Sequence, residues 1–354
     1  MKLTSWVVQR SGAPMALEQR EEQAGPGEVV LRVAGCGVCH TDLGFYYDGV
    51  PTRHPFPLTL GHEISGTVVE AGPGAEGWLG RDVVVPAVLP CGECAACRAG
   101  RGQICPRQVF PGCDVHGGFA SHVRVPSRGL CPVPDLKGAP DGLDLAALSV
   151  VADAVSTPYQ AVLRSGLQPG DLAIFVGVGG VGGFGVQIAA ALGATVVAVD
   201  VQQDRLDAMA RHGASLTVDA AALDPKALRK KVREFAEGRD IPSWRTRIFE
   251  TSGTPAGQAT AFSLLGHGGY LGVVGFTPRT VELRLANLMA FDATAQGNWA
   301  CLPEHYPAVL ELVLSGKVAL APFIERRPLA QINDVFEQLH KGAAPRRLVL
   351  IPEA

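Results

Sequence analysis

Residues 172–200 read LAIFVGVGGVGGFGVQIAAALGATVVAVD, and they decide the fold. A β-branched apolar run ends in glycines, an apolar stretch of helical length follows, and a second β-branched run closes on Asp200. Gly177, Gly179 and Gly182 form G-x-G-x-x-G between the first strand and the helix, with the acid roughly 20 residues on. Each feature has a physical use. Gly177 makes the tight turn, and Gly179, with Gly180 and Val181 after it, lets the backbone approach a pyrophosphate. Gly182 packs helix against strand, and the positive helix end faces the phosphates. A glycine-rich packing turn would account for the glycines, of which the chain has 43, but not for the flanking strands and the terminal acid. Asp200 at the strand end would bind ribose hydroxyls and repel a 2′-phosphate, and Val201, Gln202 and Gln203 offer no arginine to neutralise one. NAD is therefore expected over NADP.

The same rhythm continues downstream through LTVDA (216–220), PKALRKKVREFAEG (225–238), RIFETSG (247–253), ATAFSLL (259–265) and GYLGVVG (269–275). These are enough βα units for a doubly wound parallel sheet, an α/β fold. Arg229 to Arg233 read as a solvated helix face. Upstream the pattern is β-rich: Ser5 to Val33 alternate apolar and polar positions between Gly and Pro turns, and ISGTVVEAG (64–72) and RDVVVPAV (81–88) are further strands of a small barrel-like domain. Residues 117–134 look like strand and turn, and 144–163 are helical in pattern. After Gln296 the rhythm is lost: a helix over 303–315, a strand at 322–329, a helix through Phe336 and a final strand RRLVLIP suit a tail that returns to the first domain. The expected division is 1–153, 154–296 and 297–354.

A chain of 354 residues exceeds what one hydrophobic core usually fills. With 47% hydrophobic and 18% charged residues and a net charge of −3, nothing favours nucleic acid or an anionic membrane as partner. The opening MKLTSWVVQRSG lacks a signal-peptide core, so a cytoplasmic location is expected. Nine cysteines in such a compartment would stay reduced, and four of them fall together. Cys91, Cys94, Cys97 and Cys105 follow a C-x2-C-x2-C-x7-C spacing, which lets thiolates fold around one tetrahedral zinc. Four sulfurs close the shell, so this lobe (about residues 90–106) is expected to be structural. A second group lies in GCGVCHTDLGFYYDGVPTRHPFPLTLGHE, residues 35–63. Cys39 and His62 offer the soft sulfur and borderline nitrogen that zinc prefers, with Asp42 and Glu63 as acceptors close by.

In order along the chain, GVCHTD, GHE, the four-cysteine lobe, the glycine fingerprint and the acid of the second strand resemble the zinc-dependent medium-chain alcohol dehydrogenases. The resemblance implies a GroES-like catalytic domain, formed by the N-terminal part and the tail, and a Rossmann domain with the active cleft between them. Cys39 and His62 match the first two catalytic zinc ligands. The third, usually Cys, falls on Asp153 in DAVSTPY, a departure that still leaves two anionic ligands on Zn2+. Glu63 is the alternative ligand or an outer partner.

Thr41 matches the hydroxyl that accepts the substrate proton, Asp42 the support of the histidine, and His40 a residue near the cofactor pyrophosphate. Gly44 stands where many relatives carry a relay histidine. Arg205 matches a basic residue beside the ribose, Val274, Gly275 and Phe276 match backbone near the nicotinamide, and Arg346 matches a basic residue at the pyrophosphate. The implied activity is oxidation of a secondary alcohol by NAD with two Zn2+ per chain, in a homodimer or homotetramer.

Within the family, VVADAVSTPYQAVL and VGVGGVGGFGVQIA are most similar to bacterial 6-hydroxycyclohex-1-ene-1-carbonyl-CoA dehydrogenases of anaerobic aromatic breakdown. That implies a CoA thioester substrate, with Arg53 and His54 as candidate cations for it. A dehydrogenase of aliphatic, benzylic or polyol alcohols would share every motif. A noncatalytic NAD binder or quinone-reductase-like protein would need neither Cys39, Thr41, His62 nor Asp153.

Overall fold

The structure, a computed structural model, describes residues 1–342 and 346–353. The chain parts into two compact units, residues 1–156 with 300–354, and residues 157–299.

Among the described residues the second unit has one sheet of six parallel strands. Their spatial order is Leu216–Asp219, Thr195–Asp200, Leu172–Val176, Thr246–Glu250, Tyr270–Val273, Thr294–Gly297. The order reverses beside Leu172–Val176, giving the doubly wound Rossmann topology with its switch point at the glycine turn. Every residue of Leu172–Val176 is buried, which is why this strand reads as a continuous apolar run. Gly177 has φ +87°, and a Cβ there would meet the Ser252 backbone at 2.5 Å, so only glycine makes the turn. Helix Pro225–Glu237 starts on Asp224, which accepts from the Lys226 and Ala227 amides at 2.8 and 2.9 Å. It buries Leu228, Val232 and Ala236, a strict i, i+4, i+8 stripe that turns Arg229, Lys230, Lys231 and Arg233 outward. There Lys230 and Arg233 pair with Glu234 and Glu237 at 3.6 Å each, contacts worth a few tenths of a kcal/mol.

In the first unit, strand Glu28–Gly37 is the hub. It pairs antiparallel with Glu63–Ala71, with His122–Pro126 and with the C-terminal strand Arg347–Ile351. Asp82–Val85 and Cys131–Pro132 extend one side, and Ile324–Pro328 the other. Lys2–Val7 and Ala16–Glu21 form a separate antiparallel pair. Val29, Leu31, Leu58, Leu60, Ile64, Phe119 and Phe336 fill the core beneath. The register sets Gly37 opposite both Glu63 and Val349, which brings residues far apart in sequence to one point. A side chain at Gly37 would occupy the space of the Glu63 carboxylate.

The helical expectation for residues 144–163 needs correction. A 3-10 turn, Ala147–Ala152, breaks at Asp153, and the α-helix begins only at Ser156. Pro158 in that helix's first turn favours a fresh start, and the Ala152 carbonyl bonds side chains instead of continuing a helix.

Candidate active site

Strand Glu28–Gly37 delivers the chain to Cys39, the N-cap of helix His40–Tyr46. The Cys39 amide donates to Asp42 Oδ2 at 2.9 Å, folding the carboxylate back over the turn. Asp42 Oδ1 accepts from the Gly61 amide at 3.2 Å and lies 3.3 Å from His62 Nδ1. That last contact has ion-pair distance without hydrogen-bond alignment. One fully buried carboxylate thus ties Cys39 to His62.

Asp153 completes the group. Its Oδ2 lies 3.5 Å from Cys39 Sγ and 3.4 Å from His62 Nε2. Ligand atoms of Cys39, His62, Glu63 and Asp153 all lie within 4.8 Å of one another. Separations near 3.5 Å suit ligands about 2.0–2.3 Å from one tetrahedral ion. Burial alone would lower the His62 pKa, but Asp42, Asp153 and Cys39 raise it well above the ordinary value. The surroundings therefore call for positive charge at this ring. A dication would supply it, since thiolate, carboxylate and neutral imidazole would leave the centre formally neutral. Thr41 Oγ1 sits 3.8 Å from Cys39 Sγ. His40 is exposed and Gly44 is buried.

Glu63, the alternative ligand, has both carboxylate oxygens engaged by other groups. Its Oε1 accepts from the Ala154 amide at 3.1 Å, and both oxygens are bonded by Arg347, one through Nε at 2.8 Å and the other through Nη2. Burial pushes the Glu63 carboxyl towards its neutral form, and the guanidinium opposes this. Arg347 is itself held well above its ordinary pKa by Glu63 despite burial. A guanidinium stays protonated, so the pair is ionic. Losing one partner of such a pair costs about 3–5 kcal/mol. Arg346, the arginine expected at a pyrophosphate, is exposed, and the buried arginine is its neighbour. The register Val349 to Gly37 is the signal for Arg347, and it is a tertiary fact.

In the cysteine lobe, Cys94 Sγ lies 3.5 Å from Cys97 Sγ and 3.6 Å from Cys105 Sγ, and Cys91 Sγ lies 3.9 Å from Cys97 Sγ. Cys94 caps the short helix Ala95–Arg98 and accepts from the Cys97 amide at 3.5 Å. The Glu93 amide helps bring the Cys91 thiol down to about 6, while burial and its sulfur neighbours push Cys97 up to about 12. Four thiols so close cannot all ionise unless a cation joins them. All nine cysteines are free.

At the glycine turn of the second unit, Asp200 Oδ2 accepts from the Val178 amide at 2.7 Å, and Oδ1 from the Val201 and Gln202 amides at 2.8 and 3.0 Å. Arg205 Nη1 lies 3.8 Å from Asp200 and close to Gly179. A Cβ at Gly182 would collide with the Gly177 carbonyl. The Val274 and Gly275 amides bond the Glu250 carbonyl at 2.9 and 3.0 Å, and Phe276 is exposed. Sequence reading passed over Glu250. Its buried carboxylate accepts from the Ser252 and Gly253 amides at 2.8 and 3.1 Å, fixing the turn after the fourth strand.

With this geometry in hand, two family descriptions match the chain: "Alcohol dehydrogenase GroES-like domain" over residues 25–135 and "Zinc-binding dehydrogenase" over residues 180–315. An alcohol dehydrogenase of Geobacillus stearothermophilus is 30% identical over 327 residues, covering 92% of this chain and 91% of its own. One of Rhizobium meliloti (strain 1021) is 31% identical over 354 residues, covering 99% of each. The solved structure of the alcohol dehydrogenase from Aeropyrum pernix superposes with a TM-score of 0.86 at 31% identity, over 99% of this chain and 100% of that one. The chain belongs to the zinc-binding alcohol dehydrogenase family, and it is an oxidoreductase. No described helix is long and apolar enough to cross a membrane.

Proposed function

We propose that this enzyme oxidises a secondary alcohol to a ketone with NAD, and that the alcohol is the ring hydroxyl of 6-hydroxycyclohex-1-ene-1-carbonyl-CoA. The observation that carries the reaction is that Cys39 Sγ and His62 Nε2 lie 3.5 and 3.4 Å from the same Asp153 oxygen, with Thr41 beside Cys39. Cys39, His62 and Asp153 would hold the catalytic zinc. Bound zinc supplies a Lewis acid that makes an alcohol hydroxyl easier to deprotonate. Thr41 accepts the alcohol proton while passing its own on to water, since Gly44 leaves no relay histidine there, and Asp42 keeps the His62 ring aimed. The glycine turn and Asp200 bind the dinucleotide, and holding donor carbon and acceptor ring in place supplies much of the rate.

Preference for NAD rests on Asp200, whose carboxylate would repel a 2′-phosphate; Arg205, the nearest cation described there, lies 3.8 Å from that same carboxylate. The CoA ester rests on the similarity of residues 150–163 and 176–189. One observation favours the simpler reading of a general alcohol dehydrogenase: Arg53, the candidate cation for the thioester's phosphates, already faces Asp114 at 3.4 Å.

Steady-state rates over a panel of hydroxyacyl thioesters, free hydroxy acids and simple alcohols, each with NAD and NADP, test both parts. The hydroxyacyl-CoA is expected to exceed every simple alcohol in kcat/KM by at least about hundredfold, roughly 2.7 kcal/mol, with NAD preferred. Equal rates for simple alcohols would refute the thioester, and no turnover of any alcohol would refute the reaction.

A further inference from the structure

Asp153 is held differently from its two partners. It follows the 3-10 turn Ala147–Ala152 and has φ −142°, ψ −59°, outside the regular helix and strand regions. A residue so placed has no helix or strand ladder to fix its backbone, so its direction depends on what its flanking peptide groups bond. On one side, the Ala154 amide donates to Glu63 Oε1 at 3.1 Å. On the other, the Ala152 carbonyl accepts from the Tyr306 hydroxyl, and the Ala87 amide and Ser156 Oγ lie 3.2 Å from the same oxygen. Ala87 N and Ser156 Oγ also lie 3.3 and 3.2 Å from the Tyr306 oxygen, so the phenol sits at the centre of the knot.

Tyr306 is wholly buried at the start of helix Tyr306–Leu314, 153 positions along the chain from Asp153. One partner would satisfy a buried phenol. This one has three, and all of them lie on the peptide before Asp153 or bond to it. Phenylalanine would fill nearly the same volume, so packing alone does not ask for the hydroxyl.

We infer that Tyr306 is a positioning residue for the metal centre: its hydroxyl locks the Ala152 carbonyl and so sets the direction in which Asp153 presents its carboxylate. With Glu63 gripping the next amide, Asp153 is clamped from both sides, and Tyr306 acts through the backbone. The inference rests on Cys39, His62 and Asp153 holding zinc. Groups that orient metal ligands are typically worth about 10–100-fold in metal affinity.

The test is zinc release to a chromogenic chelator from the full-length wild type and Tyr306→Phe. Wild type is expected to release two zinc ions in two phases, assigned with Asp153→Asn and Cys97→Ser. In Tyr306→Phe the phase belonging to Asp153 should quicken about tenfold while the lobe phase is unchanged. Both phases at the wild-type rate would overturn the inference. Equal quickening of both would show general loosening and overturn it too. Should Tyr306→Phe not fold, Ser156→Ala removes another donor to the same knot. It should quicken the same phase about threefold, and an unchanged rate would overturn the inference. A wild type releasing a single zinc, from the lobe, would instead refute the metal reading on which this rests.

Discussion

The four thiols of the cysteine lobe come from residues 91–105 and are mostly part-exposed, whereas Cys39, His62 and Asp153 come from three distant places and are buried or half-buried. The lobe is a local loop that a metal can gather by itself, because short loops cost little entropy to close. The other centre is assembled by the fold: a sheet register brings Glu63 beside Gly37, Asp42 ties Cys39 to His62, and Arg347 and Tyr306 arrive from the C-terminal tail. The lobe's metal should therefore contribute to stability, and the other centre's metal to chemistry.

The sharpest way to break this contrast is to change one ligand in each. Asp153→Asn is expected to lower turnover at least about hundredfold, about 2.7 kcal/mol or more, and to leave one zinc per chain by elemental analysis. Its melting temperature should shift by less than about 2 °C, since the fold builds that centre independently of its metal. Cys97→Ser should do the reverse. It is expected to lose the lobe zinc and about 5–10 °C in melting temperature, with turnover per folded molecule at 25 °C reduced less than about threefold. Loss of stability in the first variant and of turnover in the second would invert the assignment.

A smaller effect separates a histidine that invites a cation from one that refuses it. Burial, with help from Arg20, His54 and Arg124, brings His116 down to about 4, and its Nδ1 accepts from the Thr59 amide at 3.2 Å. As pH falls through the ordinary value of 6.5, the unfolded chain takes up a proton that the folded chain refuses. His116 therefore contributes stability above pH 6.5 that is lost between 6.5 and about 4. For a half-buried ring this is on the order of 1 kcal/mol. His116→Asn, which keeps an acceptor for Thr59, should flatten the melting temperature across that window. An unchanged slope would mean that the ring is protonated in the fold.

How much was readable in advance follows the same divide between local and assembled features. G-x-G-x-x-G, the cysteine spacing and the apolar stripe of Pro225–Glu237 are local, and each shows in a short window of residues. Asp153 could be named only through family resemblance, because nothing near residue 153 resembles a ligand site. The break that exposes it interrupts a helical pattern through a tertiary contact with Tyr306. Nothing in the local sequence says which of the adjacent Arg346 and Arg347 is buried: Arg347 opens the strand Arg347–Ile351 and is held against Glu63, whereas Arg346 precedes that strand and is exposed. Glu250 sits at the end of a buried strand, where its sequence looks like an ordinary strand terminus.

The most direct measurement is anomalous scattering at the zinc edge from crystals of the enzyme grown with zinc. Two peaks are expected, one among the four lobe sulfurs and one about 2.0–2.3 Å from Cys39 Sγ, His62 Nε2 and an Asp153 oxygen. A single peak in the lobe, with Cys39, His62 and Asp153 in contact but metal-free, would contradict the reading of this centre.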